Sequence, residues 1–366
     1  MAKTYGTLQI LDELQTIDAG NVFDYGEDRL YAHLSDLLNA HNDMTQDIFG
    51  LLVGQTKDNI RRFGADTITG EMVEVDEFGA ADVQKTRVAG YDIGFPLRDY
   101  QYAVGWTRKY FETHAPADLA KEFVAAKTAD IRNLKRRALQ ALFRATNYSF
   151  IDRLTNSQTL PVKALQNADS TAIPVDPFGN TFNGATHTHL VGYASASVTA
   201  ADITALIRNI TEHGVNGGIV RIFINRAQEA TVRGFTSNFD PLQAPMLDPG
   251  PGSTADVVRA PRETPYLIDD RLVGIWDGFV EIWVKPWVPA NYWVAMLIGG
   301  TNDDVLQMRT RNIAGYGNYR MVSEHDHFPL RAQHFEREFG VGVWNRLGAA
   351  ILYGGGTTYV QPVINY

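Results

Sequence analysis

Cysteine is missing from all 366 residues. That absence rules out a disulfide framework, thiolate metal sites and cysteine nucleophiles, and it suits a reducing cytoplasm. Basic charge is also scarce. The 33 Lys and Arg stand against 42 Asp and Glu, a net −9, whereas a freestanding nucleic-acid reader usually carries a basic surplus. Long apolar runs are lacking too: the greasiest stretch, residues 288–300, is broken by Pro289, Asn291 and Gly299. It falls short of the ~20 apolar residues that a bilayer-spanning helix needs. Met1-Ala2-Lys3-Thr4-Tyr5-Gly6 shows no basic region followed by an apolar one, so neither a secretory signal nor membrane attachment is expected.

Signatures of catalysis are missing as well. The chain has no Gly-rich phosphate loop ending in Lys-Ser or Lys-Thr, no Gly-x-Ser-x-Gly elbow and no His-Glu-x-x-His. Gly315-Tyr316-Gly317 lacks the third glycine of a dinucleotide fingerprint. These absences together argue against an enzyme: no catalytic residue and no cofactor is expected.

What is present is ample core material. A hydrophobic fraction of 45% and a charged fraction of 20% are those of a folded chain, and the length suggests about two domains. The 16 Tyr, 18 Phe and 6 Trp suit cores and interfaces alike.

The first residues, to about Asp28, have little periodicity and read as an extended arm. Leu30, Leu34, Leu37, His41, Met44, Ile48 and Leu51 then recur at helical spacing. Such a stripe packs on its own domain or on a neighbour. Residues 61–95 read as a long charged β-hairpin, with Met72, Val73 and Val75 before a turn at 76–82 and Val83, Thr86 and Val88 after it. Its apolar content is thin, and an isolated hairpin is marginal in water, so it must lean on another surface.

A long helix is predicted over 116–146, ~45 Å at 1.5 Å per residue. Pro116 suits its first turn, and Val124, Ile131, Leu134, Ala138 and Leu142 line one face. Arg132, Arg136 and Arg137, with Lys135 and Arg144, form a basic face. That face is simply solvated, or it meets acidic neighbours or the phosphates of packaged DNA. Residues 156–198 read as loops with short strands. A helix start follows at Val198-Thr199-Ala200-Ala201-Asp202, with Ile203, Leu206, Ile207 and Ile210 as its buried stripe. Residues 219–224 read as a buried strand, with a second helix after Asn225. An exposed loop spans 240–265, and strands are expected at 279–284, 292–298, 335–343 and 349–353.

Two histidine sets invite a metal reading. His187-Thr188-His189 puts both imidazoles on one side of an extended strand. His325-Asp326-His327, with Glu324 and His334, is the second set. Both sit among turn-formers, where imidazoles are commonly solvated or hydrogen-bonded, and no metal is expected.

In order and motif the chain resembles the Hong Kong 97-like major capsid proteins of tailed double-stranded DNA bacteriophages. The most specific stretches are Gly278-Phe279-Val280-Glu281-Ile282-Trp283-Val284, Trp287-Val288-Pro289-Ala290, and Leu306-Gln307-Met308-Arg309-Thr310-Arg311. They are followed by His334-Phe335-Glu336-Arg337-Glu338-Phe339-Gly340-Val341-Gly342-Val343 and Asn345-Arg346-Leu347-Gly348-Ala349-Ala350-Ile351-Leu352-Tyr353. The resemblance implies an α+β fold in four parts. These are an N-terminal arm (1–56), an extended E-loop hairpin (57–98), a P-domain with the long spine helix (99–155 and 301–341), and an A-domain (156–300 and 342–366) with a central sheet flanked by helices.

It further implies a structural, non-enzymatic protein that self-assembles through hexamers and pentamers into an icosahedral head enclosing double-stranded DNA. Assembly would occur in the host cytoplasm and end in the virion. Inter-subunit contacts would fall on the E-loop at Glu71, Val73, Val75, Phe78, Lys85 and Arg87. Arg132, Arg136, Arg137 and Arg144 would face DNA or neighbours. Because the chain starts at Met1 with no long coiled-coil leader, a separate scaffolding protein is expected, beside a portal and decoration proteins. Lys85 is the lysine well inside the hairpin, but no partner for a covalent cross-link is evident and none is expected. An encapsulin-like nanocompartment shell is the alternative, and a metal-binding hydrolase a more distant one.

Overall fold

The computed structural model describes residues 35–36, 38–39, 41–42, 53–64, 77, 89–176, 179–193, 198–214, 218–241, 270–299, 304–327 and 330–364. The described elements begin with β1 (Val53–Thr56), β2 (Ile60–Gly64), β3 (Gly90–Gly94) and β4 (Arg98–Thr107). Helices α1 (Arg108–Thr113) and α2 (Pro116–Leu142) precede β5 (Tyr148–Asp152), β6 (Gln158–Val162) and β7 (Leu190–Gly192). Next come α3 (Ala200–Thr211), β8 (Ile219–Ile224), α4 (Glu229–Arg233) and β9 (Phe239–Pro241). Strands β10 (Arg271–Trp276), β11 (Val280–Val284), β12 (Tyr292–Ile298) and β13 (Leu306–Arg309) follow. The series closes with β14 (Arg320–His327), β15 (Leu330–Val343) and β16 (Ala349–Tyr353). The fold is mixed α+β, as expected. No helix among the described residues is long and apolar enough to cross a membrane.

A seven-stranded sheet, in the order β7-β16-β12-β8-β11-β10-β9, forms the central layer. Its strand β12 is buried at all seven positions. Because successive side chains leave a strand on opposite faces, β12 supplies two cores at once. Trp293, Ala295 and Leu297 go to one side, where Ile203, Leu206, Ile207 and Ile210 of α3 cover them. Tyr292, Val294, Met296 and Ile298 face the other side. The α3 stripe is the one its periodicity predicts, and the helix starts with a reciprocal capping box between Thr199 and Asp202.

A second sheet is built around β15. Its residues 330–339 pair with β4, and 330–336 pair with β14 on the opposite edge. Beyond them, 340–343 pair with β13, to which β1 adds in parallel. Residues 53–56, the end of the stretch read as an arm, are therefore a strand of this sheet. The sharing of β15 between partners brings it very close to the incoming chain. A Cβ on Gly340 would collide with the Pro96 carbonyl oxygen, which explains the glycine.

Helix α2 bridges the two sheets. Leu134, Ala138, Leu139 and Leu142 enter the core beneath β12, whereas Leu119, Phe123 and Ala126 pack with Val104, Trp106 and Phe335 of the second sheet. Its 27 residues span ~40 Å. The helix stops short of Thr146 because the next backbone groups bond elsewhere. Phe143 is buried, Ala145 N–H donates to Gln361 Oε1, and Ala145 C=O accepts from Asn167 Nδ2. The inner face also differs from the predicted stripe. Val124 and Ile131 are only half-buried, and the charged Lys127 and Asp130 are buried in the interior.

Gly340→Ala should lower stability by at least about 1–3 kcal/mol, since the added methyl meets a backbone carbonyl that cannot turn aside. Urea denaturation against Gly356→Ala, where a Cβ meets nothing within 4 Å, is the measurement; equal midpoints would refute the close-approach account.

Candidate functional site

The predicted hairpin contacts Glu71, Val73, Val75, Phe78, Lys85 and Arg87 lie outside the described residues. The hairpin root does not. Strands β2 and β3 pair antiparallel from Ile60↔Gly94 to Gly64↔Gly90. Phe63 stacks on Tyr91 and meets the Trp344 ring edge-on, and the Arg61 guanidinium lies 4.0 Å over Trp344. An aromatic and cationic clasp thus fixes where the hairpin leaves the body.

The basic face expected of α2 is divided, and Arg144 lies past the end of the helix. Arg132 is exposed, whereas Arg136, Arg137 and Arg144 are half-buried. Arg137 lies 5.0 Å over Tyr100 and donates to Gln140, and Arg144 lies 4.1 Å over Tyr148. Arg137 and Arg144 share a shallow cleft with Tyr100, Tyr148 and Lys163; Arg132 does not join it.

The described residues between 35 and 42 are helical and dock on α2 of the same chain. His41 Nε2 is 2.8 Å from the buried Asp130 carboxylate, which also lies 3.3 Å from Arg337. Arg337 donates to Asn42 Oδ1, and Asn42 exchanges hydrogen bonds with the Tyr319 backbone. His41 was legible as a member of the helical stripe. Its partners Asp130 and Arg337 were not, because they lie in distant segments.

Arg346, at 0% exposure, is a fully enclosed charge. Its Nε donates to Ala164 C=O (2.6 Å), Nη1 to Thr171 Oγ1 (2.8 Å), and Nη2 to Asn167 Oδ1 (3.1 Å) and the Asp169 carboxylate (3.0 Å). Its plane lies 5.3 Å over Tyr91 of the hairpin root. Burial alone would raise the Asp169 carboxyl, but the Thr171 hydrogen bond, the Arg346 charge and the Asn147 hydrogen bond outweigh it. They hold Asp169 well below the usual carboxylate range.

The segment fixed by Arg346 carries a histidine cluster. Ala168 N–H donates to His187 C=O, and His189 N–H to Gln166 C=O. His213, just beyond the C-terminal end of α3, completes the set. The three Nε2 atoms lie 3.1 Å (187–189), 2.9 Å (187–213) and 3.2 Å (189–213) apart. His189 is 0% exposed and is hydrogen-bonded rather than solvated, its Nδ1 lying 2.8 Å from the Ala349 carbonyl oxygen: the strand leading into β7 is covered. Burial lowers all three, His189 to about 3 and His213 to about 4. Burial is the largest cause in each case, and mutual repulsion adds to it at His189 and His213. The pair was visible in sequence; the third member was not, since nothing local links His213 to it. In the second set, Glu324, His325, Asp326 and His327 lie on β14 and His334 on β15.

No protein-family model matches the chain, and no curated protein matches it in sequence. In structure it is similar to a chain of Mycobacterium phage Patience, with a TM-score of 0.69 and 21% identity over 91% of this chain and 90% of that one. More distant likenesses include the capsid structure of the cyanophage P-SCSP1u, with a TM-score of 0.45 and 11% identity over 84% and 86% of the two chains. Another is the holo-SrpI encapsulin complex from Synechococcus elongatus PCC 7942, with a TM-score of 0.40 and 11% identity over 86% and 88%. The chain shares its fold with the phage Patience protein.

Arg346→Met should cost about 1–3 kcal/mol, because the acceptors on Ala164, Asn167 and Thr171 lose a buried donor and the half-buried Asp169 keeps only Lys163, 3.4 Å away, as its ionic partner. Because Asp169 titrates lower in the folded state, its contribution is complete above about pH 4 and is lost as the pH falls through the depressed value. The gain in stability on raising the pH to about 4 should therefore shrink in Arg346→Met, as read by thermal melts across pH 2–5. An unchanged acid limb would refute the pairing.

Proposed function

We propose that this chain is a major capsid protein of the Hong Kong 97-like type, a structural subunit without catalytic activity. The observation that carries the reading is the fold shared with the phage Patience chain over nine-tenths of both sequences. In this reading, residues 1–56 are the arm, 57–98 the E-loop, 99–155 and 301–341 the P-domain, and 156–300 and 342–366 the A-domain. Hexamers and pentamers close an icosahedral head around double-stranded DNA, and the protein resides in the virion.

The surface chemistry supports self-association. Met321 and Val322 are exposed on β14, and Leu330 on its partner strand β15. Large apolar side chains left in water on one pair of strands suit an interaction surface, and in a shell a neighbouring copy covers them. The E-loop residues Glu71, Val73, Val75, Phe78, Lys85 and Arg87 lie over an adjacent subunit, which supplies the apolar support that the hairpin lacks. Many modest contacts become strong once closure ties each subunit into several. Of the four arginines, Arg132 is the exposed one and is free to reach phosphate, with Arg136, Arg137 and Arg144 held closer to the body. Such contacts are sequence-independent. Scaffolding, portal and decoration proteins complete the assembly.

Electron microscopy of the purified protein should show capsomers, tubes or closed shells; a discrete small oligomer under every condition would overturn the proposal. Deleting Glu71 to Arg87 should leave the melting transition cooperative and abolish shells, because the root formed by β2 and β3 is anchored within the chain. Shells of normal size from the deletion variant would remove the hairpin from assembly.

A further inference from the structure

We propose that His187, His189 and His213 form a binding site for a divalent transition-metal ion of the zinc class, one per subunit, that staples the end of α3 to the edge of the central sheet. The convergence itself is the argument. Three Nε2 atoms lie within 3.2 Å of one another, whereas tetrahedral Zn²⁺ with bonds of about 2.0–2.1 Å sets imidazole nitrogens about 3.3–3.4 Å apart. The triangle is within a few tenths of an ångström of a ligand set.

Hydrogen bonding among the imidazoles cannot account for it. His189 Nδ1 is 2.8 Å from the Ala349 carbonyl oxygen, which only accepts, so the proton sits on Nδ1 and Nε2 is a bare lone pair. That lone pair faces two further Nε2 atoms. A neutral imidazole offers at most one proton at Nε2, so three such contacts cannot all be donor–acceptor pairs if each nitrogen has a single in-plane direction to use. A shared cation turns the crowding into coordination. The Nδ1–H to carbonyl bond is also the outer-layer contact that orients metal-bound histidines.

The surroundings fit a cation. The Glu212 carboxylate is 3.7 Å from His187 Nε2, and it or a water completes a fourth position. Asp176 adds negative charge beside His213. Phe182 covers the outer side, with its ring 4.4 Å from that of His213 and 5.3 Å from that of His187. A cleft lined by Phe63, Pro174, His213, Gly214 and Leu347 gives access to one edge. Three imidazoles without thiolate favour zinc, copper, nickel or cobalt over magnesium or calcium. The ligands come from the strand leading into β7 and from the end of α3, so a bound ion would join the two elements.

Tag-free full-length protein tests this directly. As purified it should carry about one zinc per chain by plasma mass spectrometry, as expected of a three-histidine site with a fourth ligand from Glu212 or water. Chelator treatment should lower the melting temperature, and zinc chloride should restore it. Cobalt chloride should give the visible absorption of a tetrahedral ion. His213→Gln and His187→Gln should each weaken zinc binding at least about tenfold. If His213→Gln fails to fold, His187→Gln, which replaces a partly exposed ligand, carries the comparison alone. Wild-type protein that retains no zinc and shows no melting shift with zinc chloride, or undiminished binding in the folded variants, overturns the site. None of these readouts depends on shell assembly.

Discussion

A guanidinium shut off from water survives only where its donors are taken up, and Arg346 meets that condition by gathering one stretch of chain around itself. Ala164, Asn167, Asp169 and Thr171 all accept from it. The segment so fixed is not part of either sheet, yet it decides what lies next to the central one. Through Gln166 and Ala168 it holds the backbone of His187 and His189, and so positions β7 at the sheet edge beside β16. Through the Tyr91 ring the same guanidinium reaches the root of the hairpin. One buried charge thus ties together the C-terminal return, the histidine cluster and the base of the element proposed to reach a neighbour.

The two sheets are coupled in a different way, by a shared apolar core. Phe339, Val341 and Val343 of β15 enter the same cluster as Val294 and Met296 of β12 and Leu134, Leu139 and Leu142 of α2. A close-packed core transmits displacement because it has little free volume to absorb it. Along the second sheet the coupling is ionic: Arg311 with Glu338, Arg320 with Glu336, and Arg309 with Asp152. Burial raises the Glu338 carboxyl even with Arg311 beside it. Of these, only Arg320–Glu336 joins two paired strands, and buried pairs of this kind add little net stability. An apolar body with charged edges suits the repeated docking proposed above.

Periodicity and end signals carried much of the fold. Ile203, Leu206, Ile207 and Ile210 of α3 needed only their spacing and the Thr199–Asp202 cap, while β12 and β16 declared themselves as apolar runs, because strands covered on both faces have no polar side to conceal them; β8 and β11 were legible despite Arg221 and Glu281, which pair with each other. The ordered motifs from Gly278 onward were enough to suggest the architecture. Local pattern could not reach the burial of Lys127 and Asp130 on α2, since a charge is expected outside unless a distant partner is known, and for Asp130 those partners are His41 and Arg337. Nor could it see that β4 and β14 flank β15, which is a matter of long-range pairing. His187 and His189 advertised themselves by alternation, yet a pair of histidines is ambiguous. His213 joins them only because α3 packs across the sheet and ends at its edge; side chains far apart in the chain acquire a common chemistry through folding, and no window along the sequence contains that distance.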